Sequence, residues 1–246
     1  MHVVKAPEAA LVAVTSRWWV SHLVLPVFAV LCLLGAIEHF GVDIQLAQWM
    51  FHLEGGVNTW GLRHWWFTDG VLHTGGRNLV GLMGLVLLLA LGASHFRQRL
   101  KPYRRGFYYL FLCVLSSVML VRMGKNLTNV SCPWDLLQFG GKFPYVPFPW
   151  SLSANDVGGQ CFPGGHSSGA FAWICLYYFA AVYFPQHRQR VLLSVLTVGL
   201  VFSLCQEFRG AHFLSHDIWS LLLSWTLASL LFFVFFPAHI RRQLAD

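Results

Sequence analysis

Charge is scarce in this sequence. Asp, Glu, Lys and Arg make up 11% of its 246 residues, and only ten residues are acidic. Soluble domains carry about 25% charged residues, so a soluble globular class is excluded for most of this chain. No Ser/Gly-rich or charged linker, internal repeat or low-complexity tract divides it, so residues 1–246 read as one domain. No small-residue cleavage site follows the first apolar run, Val20 to Ile37, which therefore reads as a retained helix rather than a cleaved leader. Cysteine is also scarce, with six residues, four of them inside apolar stretches.

Apolar side chains are abundant, at 56% of the chain. Six stretches approach the roughly 20 residues that a membrane-spanning helix needs. They run over about 20–40, 78–96, 107–124, 167–184, 191–208 and 214–236. The Trp-rich segment 44–66 is interrupted by Glu54, Gly55, Gly56, Arg63 and His64, which suits an interfacial amphipathic stretch. The expected fold is all-α, a polytopic bundle of about six transmembrane helices.

The net charge of +7 does not point to nucleic acid, because the basic residues sit in short clusters beside apolar runs. Arg97, Arg99, Lys101, Arg104 and Arg105 follow the second span. Arg188 and Arg190 follow the fourth, and Arg241 and Arg242 the sixth. With six spans all three clusters share one side, which the positive-inside rule makes cytoplasmic, together with both termini. The 44–77 segment, the 125–166 loop and the turn near Arg209 then face outward. Nearly every residue able to do chemistry lies there.

Those residues form three clusters. Lys125 to Asp135 ends the third span, Phe162-Pro163-Gly164-Gly165-His166-Ser167 opens the fourth, and Gln206 to Asp217 joins the last two. Pro-Gly-Gly-His-Ser at a helix start offers unpaired backbone N–H groups, a positive dipole end and room for close approach, which together suit an anion. Lys125 and Arg209 add positive charge of the kind a phosphate dianion requires. His166 and His212 exchange protons near neutral pH, and either could attack phosphorus. His212 and His216 are spaced i, i+4, but no third ligand follows at metal-site spacing, so no metal is expected.

The three clusters resemble the tripartite signature of the PAP2 (type 2 phosphatidic acid phosphatase) superfamily: Lys-x6-Arg-Pro, Pro-Ser-Gly-His and Ser-Arg-x5-His-x3-Asp. Lys125 and Pro133 keep the first spacing, with Cys132 at the Arg position. Pro163, Gly165 and His166 keep the second, with Gly164 at the Ser position. In the third, Gly210-Ala211-His212-Phe213 fits the local pattern, leaving Gln206 at the Arg position and His216 at the Asp position. The resemblance implies a membrane phosphatase acting without a cofactor on a lipid phosphate. His212 would be the nucleophile forming a phosphohistidine and His166 the acid that protonates the leaving oxygen. His216 would orient His212, assisted by Asp217. Lys125, Arg209, Ser167 and the amides of Gly164 and Gly165 would hold the phosphoryl group. The substrates it allows are phosphatidic acid, polyprenyl pyrophosphate, phosphatidylglycerol phosphate and lipid A. Lipid-to-lipid phosphotransfer, or a non-catalytic lipid-binding or transport role, are the alternatives. Cys132 and Cys161 are the two cysteines of the outer loop, an oxidising setting, and are expected to form a disulfide that ties the first cluster to the second.

Overall fold

The computed structural model describes residues 17–57, 59–152 and 159–237. Arg241, Arg242 and both termini lie outside the described residues. Among the described residues there are eight α-helices: α1 (Leu25–His39), α2 (Val42–Leu53), α3 (Gly76–Phe96), α4 (Arg104–Thr128), α5 (Gly165–Phe171), α6 (Cys175–Tyr183), α7 (Arg188–Phe208) and α8 (Leu214–Phe235). Among the described residues the nearest approach to a sheet is one isolated bridge, Leu136 to Phe143. The protein is an all-α, multi-pass membrane bundle.

Among the described residues five helical runs are long and apolar enough to cross a bilayer: Arg17–His39, Trp66–Phe96, Lys101–Asp135, Pro185–Phe208 and Leu214–Phe235. The remaining expected span, 167–184, is α5 and α6 joined by a 3-10 turn at Ala172–Ile174. Its polar start carries Gly165, His166, Ser167 and Ser168, and its core residues Ala170 to Cys175 are buried. It is the central helix, so it need not be apolar all round. The outer faces of the other helices are: Leu82, Leu85, Val86 and Leu89 of α3, Leu193 of α7 and Val234 of α8 are more than half exposed, as lipid-facing side chains should be.

The second span departs from expectation. Its helix begins at Trp66 rather than near 78, through a π-helical stretch, Trp66–Gly75, that runs on into α3. Residues assigned by sequence to an outer loop therefore stand on a helix. The segment before it behaves as an interfacial element: α2 buries Ala47, Met50 and Phe51 against Trp60, Leu136 and Phe139.

Because lipid is as apolar as leucine, the helices are held by close packing and polar pairs rather than by hydrophobic exclusion. The Tyr109 hydroxyl donates to the Ala228 carbonyl at 3.0 Å, and the Ser117 and Ser224 hydroxyls pair at 2.9 Å. Tyr178 and Ser229 pair at 2.6 Å. Gly106 leaves room for Phe179 and Tyr183, whose rings would lie within 2.6 Å of a Cβ there. This packing fixes α5 at the centre, with the Arg97–Arg105 and Arg188–Arg190 clusters at one end and all three polar clusters at the other.

Candidate active site

His212 stands in the tight connection between α7 and α8. Gly210, at φ 67°, turns the chain there, pressed against the Trp60 indole where no Cβ would fit. The Gly210 carbonyl accepts the Trp134 N–H at 2.9 Å, which joins this turn to the Lys125–Asp135 segment. A disulfide between Cys132 and Cys161, with Cα atoms 5.2 Å apart, and a bond from the Cys161 N–H to the Val130 carbonyl at 3.0 Å bring in the residues before α5. Three segments far apart in sequence thus meet at one point.

His212 Nδ1–H donates to Asp217 Oδ1 at 2.7 Å. The Ser167 hydroxyl donates to the same oxygen at 2.5 Å. Both partners are buried, and burial, followed by the charge of Lys125, holds the His212 imidazole well below its ordinary pKa. A neutral ring with Nδ1 occupied leaves Nε2 as the nitrogen free to react.

His212 lines a cavity of about 390 Å³ together with Lys125, His166, Gly165, His73, Arg77 and Gln206. Lys125 Nζ donates to the Gln160 carbonyl at 2.7 Å, and its stem crosses Gly165, where a Cβ would come within 2.6 Å of Cε. His166 stacks on Phe202 at a centroid distance of 4.6 Å and lies 4.8 Å from the His73 ring. The His166 Nε2 is 3.2 Å from the Leu72 carbonyl.

Several expected roles are redistributed. His216 does not touch His212: their centroids are 6.4 Å apart, and the contact goes to Asp217 one residue later. Arg209 does not line the cavity. Its guanidinium is buried against Asp69 Oδ1 at 2.5 Å, Gln206 Oε1 at 3.1 Å and the Arg63 carbonyl at 3.1 Å. The Ser167 side chain is turned to Asp217, and the Gly164 N–H is taken by the His216 carbonyl at 3.0 Å. Among the amides opening α5, those of Gly165, His166 and Ser167 precede the first intrahelical bond, from Ser168 N–H to the Gly164 carbonyl.

Sequence reading missed Arg77 and His73, which reach the cavity because the second span is helical from Trp66. Their signal was present as an arginine at the very start of an apolar run. It also missed the donor offered by Gln206, whose Oε1 accepts from Arg209 while Nε2, buried, has no protein partner. Among the described residues one cluster has metal-ligand proximity, Cys132, Asp135 and Cys161, and its two thiols are joined in the disulfide.

Comparison with known proteins bears on the family and the fold. The sequence profile of the PAP2 superfamily matches residues 106–240, more than half of the chain. The crystal structure of a transmembrane PAP2-type phosphatidylglycerolphosphate phosphatase from Bacillus subtilis shares the fold. Its TM-score is 0.51 at 18% identity, over 86% of this chain and 92% of that one. A search of curated proteins found no match.

Proposed function

The chain belongs to the PAP2 superfamily, and on that premise we propose that it hydrolyses the phosphate monoester or pyrophosphate of a membrane lipid through a phosphohistidine on His212. The observation that carries this reading is the His212–Asp217 hydrogen bond at the wall of a cavity that also holds Lys125, Arg77 and His166. Asp217 keeps the proton on Nδ1, so the Nε2 lone pair faces phosphorus, and it stabilises the positive ring that forms on attack. Lys125, Arg77, the Gln206 amide and the backbone N–H groups opening α5 surround the equatorial oxygens as charge builds on them. His166 donates the proton that the departing lipid oxygen requires. With its deprotonated ring it then activates the water that releases phosphate from His212.

Arg77 takes the place of guanidinium groups that the family motif puts at positions 132 and 206. Cys132 is committed to the disulfide, and Gln206 supplies a neutral donor instead. The basic clusters at the opposite end of the bundle support a site on the periplasmic or extracellular side. Phosphatidylglycerol phosphate, phosphatidic acid, polyprenyl pyrophosphate and lipid A all present such a group at a membrane surface.

Purified protein assayed for phosphate release from these four lipids tests the proposal. Turnover of at least one, lost in His212→Ala, is expected; release from none would overturn it. Labelling of a cysteine placed at position 102 by an impermeant thiol reagent in intact cells would overturn the orientation.

A further inference from the structure

A second cavity, of about 290 Å³, lies on the other side of the α8 N-terminus from the catalytic one. Leu31, Leu34, Gly35 and Glu38 of α1 form one wall, and Asp43 closes one end. The 145–149 segment, Phe162, Phe213, His216 and Trp219 complete it. His212 does not line it.

Its chemistry differs from that of the phosphate-handling site. In a chain of net charge +7, Glu38 and Asp43 line this cavity, and among the described lining residues there is no lysine or arginine. The two carboxylates lie close enough to feel each other's charge, and Tyr145 is within range of both. Asp43 is held in place by the Ser215 N–H at 2.9 Å and the Ser215 hydroxyl at 2.5 Å, so it points along the start of α8. An anion would be repelled here; a cation would neutralise an otherwise unmatched pair.

A buried nitrogen without a partner narrows the ligand further. His216 is 3% exposed, and its Nδ1 has no hydrogen-bond partner. The ring is wedged edgewise between Phe162, at a centroid distance of 5.4 Å, and Phe213, at 5.3 Å. Its other nitrogen lies toward the Cys161 backbone. With the ring proton on that nitrogen, Nδ1 presents a bare lone pair, which calls for an N–H or O–H donor. Around it stand Phe148 and Phe162, stacked at 4.6 Å, with Trp219 at 6.0 Å from each. Aromatic walls with carboxylates suit a cationic nitrogen.

We infer that this cavity binds the primary ammonium headgroup of a membrane lipid. The lipid source follows from the α1 wall: Leu31 is exposed on the bundle surface and Leu34 lines the interior, so a headgroup enters from the bilayer with its chains along α1. A primary ammonium satisfies His216 Nδ1 with one N–H and the carboxylates with the others. A trimethylammonium group has no hydrogen to give. The inference is independent of turnover at His212, since its ligand carries no phosphate monoester.

Native mass spectrometry of the detergent-solubilised full-length protein, titrated with dioleoyl phosphatidylethanolamine, tests it. The same chains on phosphocholine and phosphoglycerol headgroups are the comparisons. Retention of the ethanolamine lipid about tenfold above both others is expected, the size of one charge-assisted contact. Gly35→Leu should abolish that preference, because a side chain at position 35 meets no atom within 4 Å and grows into the cavity without disturbing the fold. Glu38→Gln should weaken it about tenfold while lipid phosphate turnover is kept. Equal retention of the three lipids by the wild type, or an undiminished preference in Gly35→Leu, would overturn the site. Retention of the choline lipid equal to that of the ethanolamine lipid would overturn the donor assignment. Competition by water-soluble glycerophosphoethanolamine at the same concentration as the lipid would overturn the lipid source.

Discussion

Asp217 reaches His212 through space that only glycine at position 164 leaves open. A Cβ on Gly164 would collide with Asp217 Oδ1 and stand 2.6 Å from Ser167 Oγ and 3.0 Å from His212 Nδ1. Two departures from the family motif are thus one arrangement: the missing serine at 164 and the carboxylate displaced by one residue from 216 to 217.

Restoring the motif residue should therefore harm the protein. Gly164→Ser is expected to lower kcat by about 10²-fold, the size of effect that a misplacement of about 1 Å brings. Steady-state kinetics on whichever lipid phosphate is turned over checks this, and a serine variant of wild-type activity would contradict the coupling.

Asp217→Asn removes the acceptor that fixes the His212 tautomer, and should cost about 10²- to 10⁴-fold in kcat. His216→Gln, at the position the motif reserves for the orienting residue, should cost less than about tenfold, since no reacting group touches it. A ranking with His216 the more damaging would return the orienting role to it.

The two arginines near the site should separate cleanly. Arg77→Met is expected to reduce kcat/KM by about 10²-fold, as loss of one preorganised donor does, with little change in melting temperature. Arg209→Met should instead destabilise the fold by about 1–2 kcal/mol, because the bonds from the buried guanidinium to Gln206 and the Arg63 carbonyl are lost while half-exposed Asp69 is hydrated. Thermal melts in detergent alongside kinetics distinguish the outcomes.

The lowered pKa of His212 sets the direction of the acid limb. A depressed pKa keeps the ring neutral, and so nucleophilic, as pH falls through the ordinary histidine value of about 6.5. The acid limb of kcat/KM should therefore fall below that value. Lys125→Met removes a positive neighbour that disfavours the charged ring, and should move the His212 titration upward in a ¹³C-histidine NMR experiment.

The Cys132–Cys161 bond closes a loop with a sequence separation of 29 and should contribute about 3.5 kcal/mol through the unfolded chain. Intact-mass analysis after alkylation without reduction should leave both cysteines unmodified. Reductant should lower the melting temperature and, by loosening Cys161 beside Lys125 and His212, turnover as well.

By itself the sequence determined the membrane environment and the end of the bundle at which the polar residues gather. Low charge, six apolar runs and clustered arginines follow from the cost of placing each side chain in lipid, a cost that residues bear one at a time. Lys125, His166 and His212 could be found the same way, since their spacing in three clusters needs no knowledge of packing. What tertiary structure alone decided was direction. His216 and Asp217 are neighbours in the chain, yet the start of α8 turns one toward the second cavity and the other toward His212. Arg209 lies three residues from His212 but points to Asp69, while Arg77, far away in sequence, faces the cavity because the π-helical start of the second span carries it there. Such outcomes depend on helix phase and on whether a glycine leaves room for an oxygen, and neither is a property of one residue.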